Sequence, residues 1–116
     1  MTDHVGWIVE AKIADGKRGE FEAVAQEIVT ATRKEGGTLN YQYFVSEDGD
    51  VLIWERFANA ESAHIHIDNW DRYADRWLAA APATRMVHLG DVPDDVRARH
   101  AALAPKLLQE INGFAR

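Results

Sequence analysis

Residues 7–13 (WIVEAKI) are rich in apolar and β-branched side chains and read as a strand. Asp15-Gly16 then turns the chain. From Phe21 the apolar positions become periodic: Phe21, Val24, Ala25, Ile28, Val29 and Thr32 form one stripe, with Glu20, Gln26, Glu27 and Arg33 opposite. That spacing predicts a helix lying on a core. Gly36-Gly37 ends it, because glycine enters the left-handed cap conformation cheaply. Residues 39–45 (LNYQYFV) set Leu39, Tyr41, Tyr43 and Val45 against Asn40, Gln42 and Phe44, the period of a strand. Asp48-Gly49 joins this run to residues 51–57 (VLIWERF) as a hairpin. Asn59 is placed to cap a second helix, with Glu61 in its first turn. The helix is expected to continue to about Leu78 and to stop near Pro82. Residues 84–89 (TRMVHL) read as a fourth strand. A last amphipathic helix is expected from about Asp94 to Glu110, with Val96, Leu103 and Leu107 on one side and a kink or break at Pro105.

Strand, helix, strand, strand, helix, strand is the order of a ferredoxin-like α+β unit, in which two helices cover one face of a four-stranded antiparallel sheet. An uncovered face should be polar where it meets water. Here bulky apolar residues fall on both faces of the third strand: Leu52 and Trp54 on one, Val51, Ile53 and Phe57 on the other. Such a face predicts cover, either a second copy packed sheet to sheet or the C-terminal helix of the same chain.

The 116 residues fit a single domain over 1–116, with a core at about 6–90 and a helical extension at 91–116. At 47% hydrophobic and 28% charged the composition is that of a soluble globular protein. A net charge of −6 disfavours nucleic acid and anionic membranes as partners. No membrane span and no signal-peptide pattern is visible, so the cytoplasm is the expected location. With no cysteine, thiolate chemistry and cysteine-ligated metals are excluded. Neither a dinucleotide fingerprint, a P-loop nor a nucleophile elbow occurs.

Candidate chemistry concentrates in residues 62–77 (SAHIHIDNWDRYADRW). On a strand, His64 and His66 would share a face and could ligate a metal together; on a helix they point roughly 200° apart. The steps of three and four through Ala60, Ala63, Ile67, Trp70, Ala74 and Trp77 favour helix, so no metal site is expected. A second stripe, His66, Asn69, Trp70 and Tyr73, gathers a base, an amide and two aromatics on one helix face. Facing a cavity, it would make a small-molecule site; facing the core, it would be packing. Glu10 and Glu55 lie in strands and form either an acid–base pair or ion pairs with Lys12, Arg56 or Arg85.

The chain resembles the antibiotic biosynthesis monooxygenase domain of the dimeric α/β-barrel superfamily. The resemblance rests on Gly16-Lys17 leading to Phe21, Glu35-Gly36 before LNYQYF, the hairpin with Asp48, and ERFANAESAHIH; it covers roughly residues 6–90. The end, GFAR, is similar to a tail of some members. The resemblance implies a homodimer through the sheet faces. It also implies a monooxygenase that needs neither metal nor flavin and oxidises a small quinol or polyphenol with molecular oxygen; a non-catalytic binding or structural dimer is the alternative. Its catalytic residues would be His66 as proton acceptor, Asn69 as donor to developing negative charge, and Trp70, with Tyr73 shaping the pocket. Trp54 and Tyr43 are further candidates for binding the substrate, with packing in a core or an interface the alternative for Trp54. Haem-degrading relatives carry an asparagine on the first strand, where this chain has Val9, Glu10 and Ala11.

Overall fold

A computed structural model describes residues 3–116; residues 1 and 2 of the expected single domain lie outside the described residues. Strands β1 (Val5–Lys12), β2 (Thr38–Val45), β3 (Asp50–Phe57) and β4 (Ala83–Leu89) alternate with helices α1 (Arg18–Thr32), α2 (Ala60–Trp70) and α3 (Ala74–Ala80). This is the expected α+β ferredoxin-like order. The expected sheet of four antiparallel strands is corrected by a fifth, β5 (Lys106–Leu108), in the order β2-β3-β1-β4-β5, with β5 parallel to β4.

The single C-terminal helix expected over 94–110 is also corrected. Helix α4 (Asp94–Arg99) ends at His100, a short 3-10 turn covers Ala101–Leu103, and Ala104 takes a left-handed conformation at φ 47°. Pro105 explains the break: it cannot donate to a helix and its ring crowds the preceding turn. The freed chain then pairs His88 with Leu107, so the extension covers the edge of β4 rather than the open sheet face.

The helix expected to run to Leu78 is interrupted at Asp71–Tyr73. There Arg72 N–H and Tyr73 N–H bond back three residues, to Asn69 and Trp70 carbonyls. The tightened turn re-aims α3, so that the Trp77 ring meets Phe21 at 5.2 Å and its Nε1–H donates to Tyr43 Oη at 2.9 Å. Trp77 is fully buried, and an indole needs such an acceptor when it leaves water.

The start of α2 is fixed at two points. Asn59 Oδ1 accepts from Ser62 N–H at 2.8 Å, an N-cap. Gly37 packs so closely beneath that a β-carbon there would lie 2.6 Å from Ser62 Cβ, so no other residue fits without moving the helix.

Alternation decides which side chains reach the core. Odd-numbered residues of β1 and β3 (Trp7, Val9, Ala11; Val51, Ile53, Glu55, Phe57) face the helices and are buried. Even-numbered Ile8, Leu52 and Trp54 occupy the other face and are half-buried. One inward rung is distinctive, because register puts Tyr41, Glu55, Trp7 and His88 side by side on four strands. Three of its four members are polar or ionisable, on a face that elsewhere carries mainly apolar side chains.

Candidate active site

His66 is 2% exposed and sits between two carboxylates. Helix α2 brings it over the sheet, where Nδ1 hydrogen-bonds Glu35 Oε1 at 3.0 Å. Nε2 lies 3.1 Å from Glu55 Oε1, so each ring nitrogen faces one carboxylate. Glu35, from the loop after α1, is braced by Thr38 Oγ1–H at 2.7 Å and Asn69 Nδ2–H at 2.7 Å. Phe57 packs on the His66 ring at 5.1 Å and Tyr41 meets it edge-on at 4.8 Å.

Charge follows from this geometry. Burial alone would depress the imidazolium, but the contacts with Glu35 and Glu55 outweigh it and push the His66 pKa up to about 9. Burial likewise works against the Glu35 carboxylate, yet His66, Thr38 and Asn69 together hold its pKa below the ordinary value. At neutral pH His66 is therefore an imidazolium locked to two carboxylates. It has no free lone pair and is not poised to accept a proton. Burial raises the phenols of Tyr41 and Tyr43 well above their usual range, so they stay neutral.

Next to this group lies an apolar cleft lined by Trp7, Trp70, Trp77, Leu78, Met86 and Leu103, with Glu55, His66 and His100 among its walls. It encloses about 430 Å³ including its mouth, but only about 30 Å³ is freely open to a water-sized molecule. That is room for roughly one or two waters. Among the described residues the only side-chain partner of Glu55 is His66, through Oε1, so Oε2 is left for a group held in the cleft.

The expected site residues separate. His66 and Trp70 line the cleft, Trp70 standing edge-on to Trp77 at 5.2 Å. Asn69 is at the same centre but turned to Glu35. Tyr43 is one layer back, where its hydroxyl bonds Tyr41 and Trp77. Tyr73 caps α3 and faces α1, on a separate groove with Glu27 and Lys34. Trp54 is on the far face of the sheet, against Gly6. His64 points away from His66, contacting Asp95 at 3.0 Å and Arg99 at 3.2 Å and so tying α4 to α2. Three groups were missed as site residues: Glu35, Glu55 in this role, and His100. The signal for Glu55 was available, since a carboxylate in phase with Val51, Ile53 and Phe57 must enter the apolar face.

The model of the antibiotic biosynthesis monooxygenase family matches residues 5–76, more than half of the chain. The chain belongs to that family. Among solved structures it is similar to MupZ from Pseudomonas fluorescens, at 19% identity and a TM-score of 0.87 over 100% of this chain and 91% of that one. SnoaB, a cofactor-independent oxygenase from Streptomyces nogalater, matches at 10% identity and 0.66 over 79% and 96%. Rv0793 from Mycobacterium tuberculosis matches at 19% and 0.66 over 78% and 97%. At such identities the likeness carries the fold. No curated protein matches the sequence. The family match ends before the extension that carries His100 and Leu103, a segment that the MupZ alignment spans.

Proposed function

We propose that the protein is an enzyme that transforms a small, largely apolar substrate by acid–base chemistry from its own side chains, with molecular oxygen as co-substrate. One observation carries the reading: Glu55 opens on an apolar cleft and is backed by a buried imidazolium that Glu35 holds in place. Oxygen is supported by family membership and by the likeness to SnoaB. The substrate class that fits is an electron-rich quinol or polyphenol, whose anion can itself reduce oxygen.

The roles differ from those expected from the sequence. Glu55, not His66, accepts the phenolic proton, and the imidazolium stabilises the resulting anion. The anion passes one electron to oxygen, and the two radicals combine with a new carbon–oxygen bond. Glu55 returns its proton to the peroxide, then takes the ring C–H proton as the oxygen–oxygen bond breaks. The departing hydroxide takes that proton and leaves as water. Phenol and oxygen thus become quinone and water, and Glu55 ends as it began. Asn69 and Thr38 orient Glu35, and Trp70 forms a wall.

A second copy belongs to the same proposal. Ile8, Leu52 and Trp54 share a face that no helix covers, and Phe44 beside them is 54% exposed.

A second reading is favoured by the pairing itself. A carboxylate beside an imidazolium can move protons, or add a hydroxyl group across a reactive bond, with no oxygen consumed. The deciding experiment is oxygen uptake with a panel of quinols, repeated anaerobically and with Glu55→Gln. Uptake abolished in the variant is expected. Substrate consumed equally without oxygen supports the second reading, and no transformation under either condition would sink the enzyme assignment.

A further inference from the structure

The inward rung has polar stations on both sides of Trp7. Glu55 on β3, under His66, lies to one side and His88 on β4 to the other; two strand spacings put them about 10 Å apart. The second station is a pair of histidines. His88 Nε2 and His100 Nδ1 are 2.8 Å apart, and both rings stack against Trp7, His100 edge-on at 4.6 Å. His88 is 0% exposed and its Nδ1 has no partner among the described residues. His100 is 8% exposed and lines the cleft. Its Nε2 has no hydrogen-bond partner among the described residues, and it is not among the side-chain atoms sealed from solvent.

The orphaned nitrogen decides where the protons are. Two neutral imidazoles joined in this way have two arrangements. If His100 donated, His88 would carry its proton on Nδ1, a sealed N–H with nothing to accept it, which is the rarer and costlier orphan. If His88 Nε2–H donates, its Nδ1 is a bare lone pair and the proton of His100 sits on Nε2. Burial lowers both pKa values, to about 4 for His88 and about 3 for His100, so both rings are neutral at pH 7. The charge of Arg97 further disfavours a proton on His88.

We propose that His100 Nε2–H is a fixed, neutral donor that anchors an acceptor oxygen of the ligand (a carbonyl or ether) at the end of the cleft opposite Glu55, with His88 setting its tautomer. The substrate then has two oxygen-bearing ends across a hydrophobic body that lies on Trp7: a protic oxygen at Glu55 and an acceptor at His100. This rests on the cleft being the ligand site, as proposed above, and assigns the C-terminal extension a part in specificity.

The test uses two bicyclic probes, 6-hydroxy-1-tetralone and 5,6,7,8-tetrahydro-2-naphthol, which differ in the ketone. Wild type should bind the ketone about tenfold more tightly. That preference, read as the ratio of the two affinities, should vanish in His100→Phe and return in His100→Gln, whose amide still donates. Nitrogen NMR of wild type gives a readout free of folding effects: His100 should carry its proton on Nε2, and only the ketone should shift that signal. A proton on Nδ1, or a preference that survives His100→Phe, overturns the anchor. Equal binding of both probes, with His66 signals shifted, overturns the anchor and leaves the cleft assignment standing. Failure of both probes to bind overturns the two together.

Discussion

Replacing His66 by leucine removes the only cation between Glu35 and Glu55 among the described residues and fills its place with an apolar side chain. The three groups are nearly sealed, with side-chain exposures of 3%, 8% and 7%. Breaking a buried ion pair from one side costs about 3–5 kcal/mol, because the partner charge stays behind without compensation. Glu35 keeps its bonds from Thr38 and Asn69, so most of the strain falls on Glu55, which has no other donor among the described residues. Domains of this kind are stable by about 5–15 kcal/mol, so the variant should fold but with much of its margin gone. In thermal unfolding the midpoint should drop by about 12–20 °C, at about 4 °C per kcal/mol for this size. Adding Glu55→Gln should recover at least about 1 kcal/mol, the coupling expected of groups in one network. A loss below about 1 kcal/mol, or no recovery in the double variant, would refute the ion-pair reasoning.

Stability should peak near pH 6.5, where the acid and alkaline limbs meet. The His66 pKa is raised, so its contribution is complete below the unfolded value of 6.5 and is lost as pH rises through about 9, an effect of about 3 kcal/mol. On the acid side, His88 and His100 favour the fold while neutral and Glu35 while ionised; their contributions are present above about 6.5 and 4.5 and fade as pH falls. Urea unfolding from pH 4 to 10 checks both limbs, and a flat alkaline limb would contradict the first. Ala104→Gly should stabilise by about 0.5–1 kcal/mol, since relief of a left-handed alanine exceeds the entropic cost of glycine; equal or lower stability would count against strain at that cap. Gly37→Ala should cost about 1–3 kcal/mol by pushing Ser62 and the start of α2 away, with unchanged stability the contrary result. Trp54→Arg should convert a dimer to monomers in sedimentation; a wild-type monomer at micromolar concentration would dispose of the sheet-to-sheet pair.

Local patterning made most of the fold legible. The stripe through Phe21, Val24 and Ile28, the Asp48-Gly49 hairpin and the Asn59 cap are short-range signals, and α1, β2–β3 and α2 follow them. The extension was misread because Val96, Leu103 and Leu107 fit a helical stripe, while the local cost at Ala104-Pro105 was repaid by pairing with β4, a partner distant in sequence. The site was half legible for the same reason. His66 and Trp70 announce themselves on one helix, but His66 draws its charge from residues 31 positions before it and 11 before it, on a loop and a strand. Helical spacing also overreached at Tyr73, because the turn at Asp71–Tyr73 rotates it out of the stripe.

The protonation state of His66 decides whether Glu55 or the histidine accepts the proton. Nitrogen NMR of the histidine rings, followed from pH 6 to 11, reads it directly. Both His66 nitrogens should appear protonated at pH 7 and titrate near pH 9. A His66 ring that is neutral at pH 7, with one bare nitrogen, would contradict the locked imidazolium and return the role of base to the histidine.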